Sequence, residues 1–172
     1  VWAALFFLVP CQTFHRKKNM IHAQRTKSVN IVPPQAIVDD ASWTTAEVDT
    51  KGWDYAEIKC YMGANDIAMT ALAVTESDTT GSGHANVTGL IYGTSTDVTG
   101  STSALPAADD DNKYFTFQID LRKRKRFLDL TATNGNGSAG GFLFAECVLS
   151  RPNIGPESDV PGDQGYANTL RV

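Results

Sequence analysis

The chain has 172 residues, of which 42% are apolar and 20% charged, and it carries a formal net charge of −4. The composition is near the globular average and argues against a disordered chain, while the length suits one domain able to bury a real core. The acidic balance gives no electrostatic reason for whole-surface affinity toward nucleic acid.

Val1 to Pro10 (VWAALFFLVP) is apolar and Cys11 to Asn19 is basic. The apolar run is far shorter than the roughly 20 residues a bilayer span takes. It also lacks the preceding basic segment and the following small-x-small site of an export signal. The first methionine is Met20, and residues 1–19 are read as a non-native leader or unprocessed segment that precedes the true start. A truncated export signal or a hydrophobic arm is the alternative. Without Arg16, Lys17 and Lys18 the net charge falls from −4 to −7.

Residues 20–38 read as an N-terminal arm with Arg25 and Lys27, leading into a first strand over Val29–Val38 that Pro33-Pro34 confine to an edge or break into an extended arm. Thr44–Asp49 and Tyr55–Met62 alternate with period two, and Thr50-Lys51-Gly52 between them is a turn signal. In the second run Tyr55, Glu57, Lys59 and Tyr61 take one face, and Ala56, Ile58, Cys60 and Met62 the other. Met69–Glu76 and Val87–Tyr92 follow as strands around a polar, glycine-rich loop at 77–86. Gly93–Asn112 is a long excursion. Tyr114–Ile119, Phe127–Thr133 and Phe142–Ser150 complete the set. Asn134-Gly135-Asn136-Gly137, between the last two, is a strong hairpin signal, because Asn and Gly accept positive φ. From Arg151 the residues are rich in proline and glycine and read as an extended tail over 151–172. No stretch combines helical period with a cap. About eight short strands separated by turns predict an all-β fold, a single jelly-roll-like β-sandwich over 39–150.

The chemistry-bearing residues are sparse. Cys11, Cys60 and Cys147 form no metal-binding spacing, and the latter two sit in alternating apolar runs as core hydrophobes. Asp109-Asp110-Asp111-Asn112 lacks the spaced ligands of a calcium loop and reads as an acidic loop tip. His84 lies in the glycine-rich loop and His15 and His22 near the N-terminus, none beside a nucleophile or carboxylate at suggestive spacing. No GxSxG, HExxH or phosphate-loop pattern occurs. Trp43 and Trp53, with Tyr55 and Tyr61, offer a carbohydrate-stacking reading, although core and edge packing suits strand aromatics better. The sharpest feature is Asp120-Leu121-Arg122-Lys123-Arg124-Lys125-Arg126, five consecutive cations in an acidic chain. It has three readings: a subunit contact made by guanidinium forks, a phosphate stripe, or a solvated turn. The first is preferred, with Arg25, Lys27 and Arg151 as further contact residues.

Several stretches resemble a family of small structural proteins encoded among the head genes of tailed bacteriophages and prophages. They are Asp49–Ala56 (DTKGWDYA), Leu72–Asp78 (LAVTESD), Asp120–Leu128 (DLRKRKRFL) and Leu149–Pro152 (LSRP). The family's basic segment runs DLRGRKRYL, so Lys123 stands here in place of a glycine and Phe127 in place of a tyrosine. The resemblance covers Val29 to Pro152. It implies a virion structural protein and not an enzyme, made in the host cytoplasm and placed on the capsid surface as a decoration or cement protein. The family has no established catalytic residues to carry over, and from the residues themselves no cofactor and no metal is expected. The implied partners are the major capsid protein and further copies of this chain, a trimer being favoured, with no nucleic acid or membrane. Another virion part, at the neck, tail or fibre attachment, is the alternative within a particle, and a carbohydrate-binding module is the alternative outside one.

Overall fold

The computed structural model describes residues 25–95 and 103–153, together with Gly165 and Ala167. Eight strands form: β1 Thr26–Val32, β2 Val48–Asp49, β3 Trp53–Asn65, β4 Ala71–Ser77, β5 Ala85–Ile91, β6 Tyr114–Asp120, β7 Phe127–Thr133 and β8 Gly141–Pro152. They build two four-stranded antiparallel sheets in the orders β1-β8-β3-β6 and β2-β7-β4-β5. That pair of orders is the jelly roll, so the expected all-β sandwich is the observed fold.

The core follows from period-two alternation. Ala56, Ile58, Cys60 and Met62 of β3 and Leu143, Ala145, Cys147 and Leu149 of β8 are buried on the inner face of the first sheet. Leu72 and Val74 of β4, with Leu128, Leu130 and Ala132 of β7, face them from the second sheet. Trp43 is 3% exposed and belongs to this core, so the first of the two tryptophans offered for sugar stacking is not at the surface. Cys60 and Cys147 are buried free thiols, and burial pushes both up to about 12, which keeps them protonated hydrophobes.

Strand bounds differ from expectation mainly where proline or pairing intervenes. β1 ends at Val32, directly before Pro33, and lies in the sandwich as an edge strand instead of standing off it as an arm. The run at Thr44–Asp49 contributes only Val48–Asp49 as strand. At the other end β8 continues through Arg151 and Pro152, two residues past the expected start of the tail, because Trp53 of the long β3 still pairs with Pro152.

One local signal fails outright. Asn134-Gly135-Asn136-Gly137 does not form a hairpin, because β7 and β8 lie in different sheets. Neither glycine adopts a positive φ. Both are needed for close approach: a Cβ on Gly135 would lie 2.5 Å from the Ala68 carbonyl oxygen, and one on Gly137 would strike the Asp66 carboxylate. The segment is a crossing, held by Asp66 accepting from the Ser138 and Ala139 N–H groups at 2.6 and 2.7 Å and by Asp39 accepting from Gly137 N–H at 2.8 Å. Gly135→Ala should therefore destabilise the fold by about 1–3 kcal/mol, as overpacking against backbone does. An unchanged urea-unfolding midpoint would contradict the close approach.

A candidate interaction surface

The basic run forms the crossing from β6 in one sheet to β7 in the other. Leu121–Lys123 is a single 3-10 turn whose N-cap, Asp120, accepts from the Arg122 N–H. Leu121 turns into the core and anchors the crossing. The arginine forks then close on the chain's own carboxylates. Arg122 pairs with Asp120, and Arg124 reaches Glu76 of β4 at 3.6 Å. Arg126 grips Asp49 of β2 in a bidentate contact, at 2.9 Å from Nε and 2.6 Å from an Nη. The Lys125 backbone N–H also donates to Glu76, at 3.1 Å. Lys123 and Lys125 extend into solvent without an ion pair among the described residues. Two of the five cations, Arg124 and Arg126, thus tie this corner to β4 and β2, so reversing either would disturb the chain itself before it disturbed any neighbour.

Arg25 and Arg151 have a different setting. Thr26 of β1, Ser150 of β8, Tyr55 of β3 and Asp120 of β6 form one row across the first sheet. Continuing the β1–β8 register one residue outward sets Arg25 opposite Arg151. Both line an open recess of about 520 Å³ with Asp54, Tyr55, Glu57 and Ser150. The Arg151 guanidinium lies 5.4 Å from the Tyr55 ring centroid. Lys27, on the same strand, is opposite Leu149 and does not line the recess.

At the far end of the same sheet face lies an apolar patch that sequence reading passed over. Tyr114 of β6, Tyr61 of β3 and Phe144 of β8 form one row, and the Tyr61 and Tyr114 rings sit 5.0 Å apart at 54°. Phe142 lies over Gly63, where a Cβ would come within 2.9 Å of its own Cβ. Ile37 joins them because the Val38–Gly141 bridge sets Ile37 opposite Phe142. Tyr114, Ile37 and Phe142 are 66%, 51% and 42% exposed, and they are all of the large hydrophobics exposed among the described residues. Alternation was visible for each strand, but only the register brings these side chains side by side.

His84 has no carboxylate at suggestive spacing in the sequence, but the fold brings one from β2's flank. Its Nε2 lies 2.7 Å from a Glu47 oxygen, and Glu47 also accepts from the Thr80 hydroxyl at 2.5 Å and from Gly81 N–H at 2.9 Å. The carboxylate separates hydroxyl from imidazole, so the cluster closes the β4–β5 loop and does not activate a nucleophile. The acidic tip is likewise structural in part: Asp110 binds Lys113 and the Ala107 N–H, and Asp111 accepts from Asn65 N–H.

These contacts hold several carboxyls below their ordinary range. Asp49 is lowered by Arg126, Asp66 by the Ala139 and Ser138 N–H groups, Glu47 by Thr80, Asp110 by Lys113, and Asp120 by Arg122. A carboxyl lowered in the folded state adds stability above its unfolded value, about 4, and that contribution is lost as pH falls through the folded value. The melting temperature should accordingly hold roughly level from pH 7 to 5 and drop below about pH 4. Asp66→Asn should show a shallower acid limb, and identical limbs would contradict its role at the crossing.

No family model matches the sequence, and no curated protein matches it. Among solved structures, one described as the crystal structure of the SPBc2 prophage-derived protein YomS aligns over 73% of this chain and 93% of that chain, with a TM-score of 0.44 and 10% identity. That neighbour is prophage-derived, and at this distance nothing of what it does carries over to this chain.

Proposed function

We propose that this chain is a structural assembly protein of a phage particle, a head decoration or cement protein that holds neighbouring subunits together. The observation that carries the reading is the apolar patch of Ile37, Tyr61, Tyr114, Phe142 and Phe144. Isolated exposed apolar residues are ordinary, but a contiguous group on one rigid sheet face marks a surface made to be covered. The sheet is suited to that use because β3 and β8, its two central strands, run 13 and 12 residues and hold Tyr61, Phe142 and Phe144 in strand geometry, with Tyr114 beside them on β6 and Ile37 joining from the β1–β2 connection. The resemblance of Asp49–Ala56, Leu72–Asp78, Asp120–Leu128 and Leu149–Pro152 to phage head-gene products supports the finer assignment to a capsid surface. Jelly rolls also serve as lectin domains, so the fold alone favours neither class.

The neighbour that covers the patch is the shell protein of the head, with contact between copies of this chain beside it. Tyr114→Ser with Phe142→Ser should leave the fold intact, since both side chains are exposed, and should reduce the amount retained on purified heads severalfold. Full occupancy by the double variant, or absence of the wild-type chain from purified particles, would overturn the proposal.

A further inference from the structure

The five arginines among the described residues divide cleanly. Arg122, Arg124 and Arg126 are paired with Asp120, Glu76 and Asp49. Arg25 and Arg151 make no ion pair with a described residue, and both line the recess at the charged end of the first sheet. Guanidinium groups with no carboxylate paired to them among the described residues, in a chain with 19 acidic residues and 15 basic ones, stand out against the rest of the described surface.

Two further observations show that Arg151 is held in place. It occupies a left-handed backbone conformation, φ 56°, uncommon for a residue with a side chain. Its guanidinium also lies over the Tyr55 ring, which restricts its rotamers. The recess carries acceptors as well as donors: Asp54 and Glu57 line it with the two arginines, and Glu57 is shared with Lys59 at 3.5 Å. Such a mixture disfavours a phosphodiester strand, whose backbone offers acceptors alone and is repelled by Asp54. A peptide offers side-chain carboxylates for the arginines and main-chain N–H groups for Asp54 and Glu57. About 520 Å³ accommodates a short peptide segment.

We propose that the recess formed by Arg25, Arg151, Tyr55, Asp54 and Glu57 binds an acidic segment of a neighbouring protein, a carboxylate seated between the two guanidinium groups. This names a partner chemistry for the assembly role proposed above and rests on it. The recess lies at the opposite end of the sheet face from the aromatic row, so one neighbour can engage both or two neighbours can engage one each.

The test is titration of the full chain with an acetylated, amidated peptide containing two glutamates. Its glutamine counterpart, inorganic phosphate and single-stranded oligothymidylate are titrated in parallel. The glutamate peptide alone should bind, and the affinity should fall with salt. Arg25→Gln and Arg151→Gln should each weaken it about tenfold or more, as loss of a charge-assisted bidentate contact does. Arg151→Lys, which keeps the charge and removes the fork, should fall between wild type and Arg151→Gln; Arg122→Gln should leave binding unchanged. Equal binding of the glutamine peptide, arginine-dependent binding of phosphate or oligothymidylate in its place, or no binding at all would overturn the proposal. If peptide binding fails while the chain still associates with heads, the recess is wrong and the role stands. If the peptide binds but heads carry none of the chain, the role is wrong and the recess stands.

Discussion

Six of the seven connections between strands carry the chain from one sheet to the other, and the remaining features of the molecule answer to that constraint. Only β4 and β5 are sequential neighbours in one sheet. A crossing cannot use ladder hydrogen bonds, so its backbone donors and its cations need partners from elsewhere. Carboxylates supply many of them. Asp66 and Asp39 hold the β7–β8 crossing, Asp49 and Glu76 hold the β6–β7 crossing, and Asp111 ties the approach to β6 to the end of β3. The acidic character of the chain is therefore partly architectural.

Among the described residues, the outer face of the first sheet meets a crossing at its far end, where Ile37 of the β1–β2 connection lies opposite Phe142. β3 and β8 are separated by residues 66–140, yet pair from Trp53–Pro152 to Asn65–Gly141, with one register shift near the far end. Their outward side chains form successive rows with those of β6 and β1. Aromatic residues gather at one end and arginines with carboxylates at the other, with Lys59 and Glu146 between. The β6 edge beside this face is partly covered, because the Tyr92 hydroxyl donates to the Thr116 carbonyl and accepts from its N–H, at 3.0 and 3.1 Å. Its ring packs edge-on against Phe115 and Phe117. A side chain thus stands where another strand would pair, which blunts this edge against strand addition.

Local signals succeeded where the physics is local. The inner residues of β3, β4, β7 and β8 were legible because one buried face forces alternation. Pro33 ended β1 because it has no N–H to pair. The same reading failed at Asn134–Gly137, whose composition suits a two-residue hairpin; what demanded glycine there was the Ala68 carbonyl and the Asp66 carboxylate, some seventy residues earlier in the chain. It was also incomplete at Asp120–Arg126. Five adjacent cations look like an open stripe until the fold brings Asp49 and Glu76 alongside.

By itself the sequence determined the sandwich: period-two burial, the absence of capped helical runs and short strands between turns all follow from neighbours in the chain. Tertiary structure alone decided which residues lie side by side at the surface. Pairing of distant strands aligned Ile37, Tyr61, Tyr114, Phe142 and Phe144, and it set Arg25 beside Arg151. The crossings meanwhile turned two of the most conspicuous cations, Arg124 and Arg126, toward Glu76 and Asp49 of their own chain. Which charges are satisfied within the fold, and which remain open to another molecule, depends on contacts between residues far apart in sequence.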